Sequence, residues 1–323
     1  MAKWLLGQVD PWMLAGLFYL GSGCGLWLVR RLRRSGPVTL APNEWLWLAG
    51  AIVSGGVVGP VLLMFGLTNM PASAASLLLN AESVFTALMA WVVFKENVDR
   101  RIVLGMAAIV LGALILSWPE RDGLADMVPT LAVLGACLAW GLDNNLTRRV
   151  SLNDATWIAS VKGLVAGGVN LALALALGAK LPTLPFVLGA AVVGFCAYGV
   201  SLALFVLGLR HLGTARTGAY FSVAPFFGAI LAVPLLGEPL SVKLMLAGLA
   251  MGAGVWLHLT ERHQHFHSHE VMEHTHEHVH DEHHQHAHAD GLTAGEPHRH
   301  AHRHESLPHS HAHYPDAHHR HDH

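Results

Sequence analysis

Nine long apolar runs, separated by short polar joints, constrain this chain more than any other feature of its sequence. A bilayer core about 30 Å thick is crossed by about 20 apolar residues in a helix. Runs of this kind lie at 11–30, 44–66, 73–94, 102–118, 127–146, 155–177, 184–207, 215–236 and 241–258. Hydrophobic residues make up 53% of the chain and charged residues only 13%. Most charged residues of the membrane part lie in the joints rather than in the runs. The sequence therefore predicts an all-α integral membrane protein rather than a soluble protein with buried helices.

The distribution of Lys and Arg predicts how these spans are oriented, because cytoplasmic joints carry an excess of both. Alternate joints hold the larger set, which is Arg30, Arg31, Arg33, Arg34, Lys95, Arg100, Arg101, Arg148, Arg149, Arg210 and Arg216. The opposite joints hold Lys3, Arg121, Lys180 and Lys243. We expect the larger set, and the C-terminal tail with it, on the cytoplasmic side of the inner (plasma) membrane.

An internal repeat relates the two halves of the membrane part. Residues 66–113 and 208–254 align without a gap at an offset of 142 residues over the 47 positions that they share, with an acid, Glu96 or Glu238, after the third span of each copy. The charge bias puts these acids on opposite sides of the membrane, so the copies are inverted. Inverted repeats recur in secondary transporters, where the substrate site lies between the halves near the midplane.

The predicted domains are a first repeat at 1–118, an inverted second repeat at 119–260 and a tail at 261–323. The second repeat has a span, 127–146, ahead of the point where its alignment with the first repeat begins near Lys3. We therefore expect the first repeat to lack its first helix, so that nine of ten transmembrane helices are present.

The stretch AESVFTALMAWVVFKENVDRRIVLGMAAIVLGALIL, with its weaker copy VAPFFGAILAVPLLGEPLSVKLMLAGLAMGAGVWL, resembles the EamA-type repeat of the drug/metabolite transporter superfamily. In both copies, a helix ends in an aliphatic run and then Gly or Lys. Glu comes next, and a short turn and a Gly-rich helix follow it. The resemblance covers nearly all of residues 3–258. It implies ten helices and transport, often export, of small organic solutes, but it does not identify the solute. The absent first helix and the tail depart from the pattern.

Two ionisable side chains lie at membrane depth, one in each half. Glu82 is nine residues from the outer end of its span and Lys162 seven residues from the inner end of its own, about 14 and 11 Å deep at ~1.5 Å per residue. Ionisable residues inside spans are functional candidates by default. We expect both to face a shared central cavity and either to pair or to line it together. A carboxylate that alternates between Lys162 and a proton or cationic cargo, and a structural ion pair, are both compatible with the sequence.

Other polar residues at membrane depth are weaker candidates for substrate binding or coupling. They are Asn80, Asp143, Asn144, Tyr198, Tyr220 and Ser222. Asp143 is a candidate for an inner gate or for a helix end that meets water. Each tyrosine hydroxyl is a candidate for bonding cargo or for pairing with a neighbouring helix.

The tail holds 23 of the 25 histidines. Its His-x-His alternation places imidazoles within reach of one Ni²⁺, Zn²⁺, Co²⁺ or Cu²⁺ ion, and its low apolar content predicts disorder without metal. The expected ligands are His263, His265, His267, His269, His274, His276, His278, His280, His283, His284, His286 and His288.

Together these features favour a secondary transporter that exports a small organic solute by alternating access, is coupled to protons, and carries a metal-binding regulatory tail. Efflux of divalent Ni, Co or Zn and a metal-responsive membrane sensor are the alternatives. No catalytic constellation is visible, so the sequence predicts no enzyme, no required cofactor and no nucleic-acid partner. The expected partners are the lipid bilayer, the solute and metal ions at the tail, with a homodimer as a further candidate because GxxxG spacings recur.

Overall fold

The computed structural model describes residues 9–93, 100–118 and 127–260 of the membrane unit and residues 264–268, 272–278, 298–304 and 308–312 of the tail. In the first half of the membrane unit the helices are α1 (Pro11–Leu32), α2 (Pro42–Ala51), the π-helical segment π1 (Ile52–Val58), α3 (Gly59–Asn69), α4 (Ala72–Leu78), α5 (Ala81–Val92) and α6 (Arg100–Ser117). In the second half they are α7 (Met127–Arg148), α8 (Ala155–Ala176), α9 (Leu184–Gly194), π2 (Phe195–Val200), α10 (Ser201–Leu212), α11 (Thr214–Phe221), α12 (Ala224–Leu236) and α13 (Val242–Leu259).

Within the described residues, nine helical segments are long and apolar enough to cross a membrane. Their bounds fall within a few residues of the nine runs read from the sequence, and the prediction of an all-α membrane fold is confirmed. Polar residues in the joints fix where the spans begin. The Asp10 carboxylate accepts a hydrogen bond from Trp12 N at 2.9 Å ahead of Pro11, and Asp154 accepts one from Trp157 N at 2.9 Å, as N-cap residues do.

The offset of 142 residues relates the elements of the two halves as well as their sequences. It places π1 on 194–200, where the second half has π2, and α6 on 242–259, which is α13. Equivalent helices pack against each other, α1 along α8 and α6 along α13. The equivalent spans Ala72–Val92 and Arg216–Leu236 are each broken into two helices, α4 with α5 and α11 with α12. The first helix of each span packs on the second helix of the other, α4 on α12 and α11 on α5. The two broken spans therefore run antiparallel, as expected of inverted copies.

Glycines allow α1 and α8 to approach closely. A Cβ on Gly163 would lie 2.6 Å from the backbone nitrogen of Gly23, closer than side chains are tolerated, and Gly167 faces the backbone of Leu20 in the same way. The Gly163/Gly167 spacing thus serves internal helix packing.

The tail forms a separate unit, Arg262–His323. Its described residues form β1 (Gln264–Ser268), β2 (Met272–His278), β3 (His298–His304) and β4 (Pro308–Ala312), with β1 antiparallel to β4 and β2 antiparallel to β3. The expectation that the tail is disordered without metal stays a prediction. His-x-His alternation has the two-residue period of a strand, and ladder pairing satisfies backbone groups without a packed core. Seven expected ligands lie outside the described residues, namely His263, His269, His280, His283, His284, His286 and His288.

Candidate functional site

A cavity of about 420 Å³ lies between the two repeats, with walls from both halves. Its lining includes Glu82, the eleventh of the 21 residues in the span Ala72–Val92, and Lys162, the eighth of the 22 residues in α8. Both side chains therefore lie well inside their spans. The structure places the two ionisable residues around one cavity, at the depth where inverted-repeat transporters hold their substrates.

Breaks in two equivalent spans border this cavity. One span is interrupted between Leu78 and Ala81, and the other between Phe221 and Ala224. A break frees backbone carbonyls that need new partners inside a membrane. Ser76 Oγ donates to Pro225 O at 2.7 Å, which joins the two broken spans to each other.

A buried cluster of charge forms one side of the cavity. Lys162 Nζ makes an ion pair with Asp143 and donates to Thr147 Oγ1 at 2.9 Å, while Thr147 Oγ1 donates to Asp143 Oδ1 at 2.8 Å. Lys162 is only 2% exposed. Gly55 of π1 leaves the space for this cluster, because a Cβ there would collide with Asp143 Oδ2.

The partner of Lys162 is thus Asp143 of its own repeat, and the alternative in which Lys162 pairs with Glu82 is wrong. Matched depth explains the pairing. Asp143 lies five residues before the end of α7 and Lys162 seven residues after the start of α8, and the two helices are joined by a short turn. Asp143 is buried beside a cation rather than placed in water at a helix end.

Glu82 is held by an uncharged group. Asn144 Nδ2 donates to Glu82 Oε1 at 2.9 Å and lies 3.1 Å from Thr86 Oγ1. Within the described residues, no basic side chain forms an ion pair with Glu82. Its carboxylate is half-buried in the cavity wall, where the amide orients it but does not neutralise its charge.

Aromatic rings form much of the remaining wall. Tyr19 OH and Trp140 Nε1 both donate to the Gly55 carbonyl, at 3.0 and 2.9 Å, so their polar groups are satisfied by the π1 backbone. Tyr198 packs edge-on against Tyr19 with ring centroids 5.2 Å apart. Phe205 and Phe221, whose centroids are 4.6 Å apart, line the cavity from α10 and α11.

The remaining predicted residues divide into two groups. Asn144, Tyr198 and Ser222 line the cavity, and Ser222 Oγ donates to Gly218 O at 2.8 Å. Asn80 is fully buried outside the lining, with its Nδ2 donating to Leu77 O at 2.9 Å. Tyr220 is 56% exposed and is not part of the lining. At this end of α11 the lining consists of Phe221 and the adjoining Ser222, and a binding role for Tyr220 stays a prediction.

Several residues of the site were missed from the sequence, among them Trp140, Thr147 and Tyr19. Trp140 lies three residues before Asp143 and Thr147 lies four residues after it, which places the three on one face of α7. That spacing was the available signal. Tyr19 had no such signal, because its role depends on the packing of α1 against π1 across 36 residues of chain.

Polar contacts between the two halves lie near both ends of the bundle. At the end rich in arginine, Arg30 of α1 makes an ion pair with Asp154 at the start of α8. Burial raises the pKa of Asp154, but hydrogen bonds from Thr156 and Trp157 N and the Arg30 guanidinium outweigh it, so the pKa lies below its ordinary value of 3.8.

At the other end, Glu238 holds the start of α4. Its Oε1 and Oε2 accept from Ala72 N at 2.7 Å and from Ser73 N at 2.8 Å, which is favourable at a helix N-terminus. Glu238 is the acid that recurs in the repeat. Its counterpart, Glu96, lies outside the described residues.

Known proteins resemble this chain over nearly the whole membrane part. It matches the EamA-like transporter family over residues 1–118 and 127–260. An uncharacterized transporter of Methanothermobacter thermautotrophicus is 30% identical over 278 residues, which are 79% of this chain and 80% of that protein. A probable amino-acid metabolite efflux pump of Salmonella typhimurium is 25% identical over 274 residues, 79% of this chain and 87% of the pump.

A shorter relative and a solved structure add to these. The probable 4-amino-4-deoxy-L-arabinose-phosphoundecaprenol flippase subunit ArnE of Pseudomonas fluorescens is 38% identical over 75 residues, 23% of this chain and 63% of that subunit. A solved structure superposes with a TM-score of 0.62 at 16% identity, covers 79% of this chain and 89% of that one, and shows a common fold. The chain therefore belongs to the EamA-like family of membrane transporters within the drug/metabolite transporter superfamily.

Proposed function

We propose that this protein moves a small organic solute across the inner membrane by alternating access, with the cavity between the repeats as the binding site. One observation carries the proposal: a cavity of about 420 Å³, walled by both repeats, holds the Glu82 carboxylate, which forms no ion pair within the described part of the chain, beside the neutralised Lys162–Asp143 pair. Export is the proposed direction, since one relative bears the name of an efflux pump.

Glu82 is the proposed coupling residue. A lone carboxylate inside a membrane is costly, so it favours either a proton or a positively charged ligand. The hydrogen bond from Asn144 Nδ2 to Glu82 Oε1 orients the carboxyl group in the cavity wall. If proton and cargo compete for Glu82, a proton gradient drives the cargo in the opposite direction.

The test is solute-driven proton flux in proteoliposomes that contain the full chain and a trapped pH indicator. Amines, amino acids and sugars are presented as separate classes of solute. For Glu82→Gln we expect loss of solute-driven proton movement, because the amide cannot take up the proton. Glu44→Gln, which changes a carboxylate in the first turn of α2 and outside the cavity lining, is the matched control and should keep the flux. Full proton coupling in the Glu82 variant would refute the coupling role.

The metal-efflux and sensor alternatives remain predictions. Among the described residues, no group of three or more His, Cys, Asp or Glu side chains is arranged to hold a metal ion. We propose that the tail binds transition metals and regulates the membrane part.

A further inference from the structure

We infer that the preferred cargo is an organic monocation, an amine with an apolar or aromatic body. This inference rests on the proposed function and narrows it. It follows from the charges that line the cavity, from the accessibility of each charge and from the rings that surround them.

The carboxylate and ammonium groups of the lining carry one net negative charge. They are Glu82, Asp143 and Lys162, and the last two neutralise each other in a buried ion pair. Charges interact strongly where water is scarce. A cargo with one positive charge restores neutrality in this cavity, whereas an anion adds a second negative charge.

Glu82 has a free acceptor for such a cargo. Its hydrogen bond from Asn144 engages Oε1, and Glu82 lines the cavity, so Oε2 is the oxygen to which no hydrogen bond is assigned among the described residues. An ammonium group that binds Oε2 makes a charge-assisted hydrogen bond. The amide of Asn144 fixes the carboxylate in the orientation that this contact requires.

Lys162, in contrast, is a poor receptor for a cargo carboxylate. Its ammonium group already donates to Asp143 and Thr147, and the residue is 2% exposed. A carboxylate that reached Lys162 would have to displace Asp143 and leave it buried without a partner, which is strongly unfavourable. Zwitterions and anions are therefore disfavoured relative to cations of the same shape.

The aromatic lining favours the same class. Rings of Tyr19, Trp140, Tyr198, Phe205 and Phe221 surround the cavity. The polar hydrogens of Tyr19 and Trp140 are donated to the Gly55 carbonyl. The ring of each residue is therefore the part that contacts the cargo. Aromatic faces attract cations and pack against apolar bodies. The volume of about 420 Å³ is within the range of sites for small molecules.

Three probes with one indole body test the inference: tryptamine as monocation, tryptophan as zwitterion and indole-3-propionate as anion. Radiolabelled probes are bound to the full chain in nanodiscs at neutral pH. We expect tryptamine to bind at least about tenfold more tightly than either of the others. Glu82→Gln should abolish that preference, whereas Glu82→Asp, which keeps the charge, should retain it with weaker binding. Glu44→Gln is the control outside the cavity, and the melting temperature of each variant establishes that it is folded.

Two results would overturn the inference. One is tryptophan or indole-3-propionate binding as tightly as tryptamine, and the other is no tryptamine binding to the unmodified protein. Either result leaves the proposed function standing if another solute still drives Glu82-dependent proton flux in proteoliposomes. Absence of flux for every solute class would instead refute the proposed function.

Discussion

Among single side chains, the Lys162–Asp143–Thr147 cluster shows how the sequence places charge inside a membrane. An ion pair in a buried site can be replaced by neutral groups at little loss, but removal of one partner alone costs about 3–5 kcal/mol because a bare charge remains. Thr147 donates to Asp143 and accepts from Lys162, so the cluster satisfies its polar atoms internally.

This asymmetry predicts the outcome of a double-mutant cycle. Lys162→Met and Asp143→Asn should each lower the free energy of unfolding by about 3 kcal/mol, because each leaves the other charge unpaired. The double variant should be more stable than either single variant. Unfolding of the purified protein in detergent measures all four. Additive losses in the double variant would show that Lys162 and Asp143 do not form an ion pair.

The Arg30–Asp154 contact predicts a dependence of stability on pH. Since the folded pKa of Asp154 lies below its unfolded value, its contribution to stability is present above the unfolded pKa and is lost as the pH falls through the folded pKa. The melting temperature should be higher for the unmodified protein than for Asp154→Asn at neutral pH. That difference should shrink below about pH 4. A difference that stays constant down to about pH 3 would contradict the assignment.

Among the helical elements, two spans are broken at the cavity and two others contain π-helical segments. Both broken spans lie there, and the π segments occupy equivalent places in the two halves. A π-helical turn loosens the regular hydrogen-bond ladder and is often found at functional sites. In π1 the Gly55 carbonyl takes two side-chain donors while the missing Cβ makes room for Asp143.

Gly55→Ala should therefore damage the site. The new methyl group would collide with the Asp143 carboxylate, so we expect a lower melting temperature and loss of solute flux. Gly168→Ala is the matched control, because a Cβ there meets open space and Ala favours the helix. Equal behaviour of the two variants in melting and flux assays would show that Gly55 has no special role.

The elements were largely predictable from the sequence, whereas the contacts within the site were not. Lengths of apolar runs predict spans because the bilayer imposes them, and the 142-residue offset predicts which elements correspond. Which acid pairs with Lys162 depends on the depth at which α7 packs against α8. The sequence alone is compatible with a pair between Lys162 and either Glu82 or Asp143. The π segments carry no recognised signature in sequence, so the role of Gly55 emerged only from the structure.

In the membrane unit as a whole, the two halves are unequally covered. The span Ala72–Val92 is 56% buried, but its equivalent, Arg216–Leu236, is 22% buried. The more buried of these two spans is covered by α7, which packs on α5 and on the neighbouring α3.

The tail predicts a second, separable property of the whole chain. We expect the full chain to bind several Ni²⁺ ions at neutral pH and a chain that ends at Thr260 to bind almost none. Imidazoles with pKa near 6.5 release metal when they are protonated, so binding should be lost below about pH 5. Equilibrium dialysis with metal analysis measures both. Equal nickel binding by the two chains would refute the metal-binding role of the tail.

The central claim is that one cavity, walled by both repeats, binds the cargo. Ser76 and Ser201 line it from opposite halves, and Ser76→Cys and Ser201→Cys can be compared in a protein whose native cysteines are replaced by Ala. A transported solute should slow the reaction of both thiols with a water-soluble thiosulfonate at the same solute concentration. Protection of one thiol without the other, or of neither, would contradict a binding site shared by the two repeats.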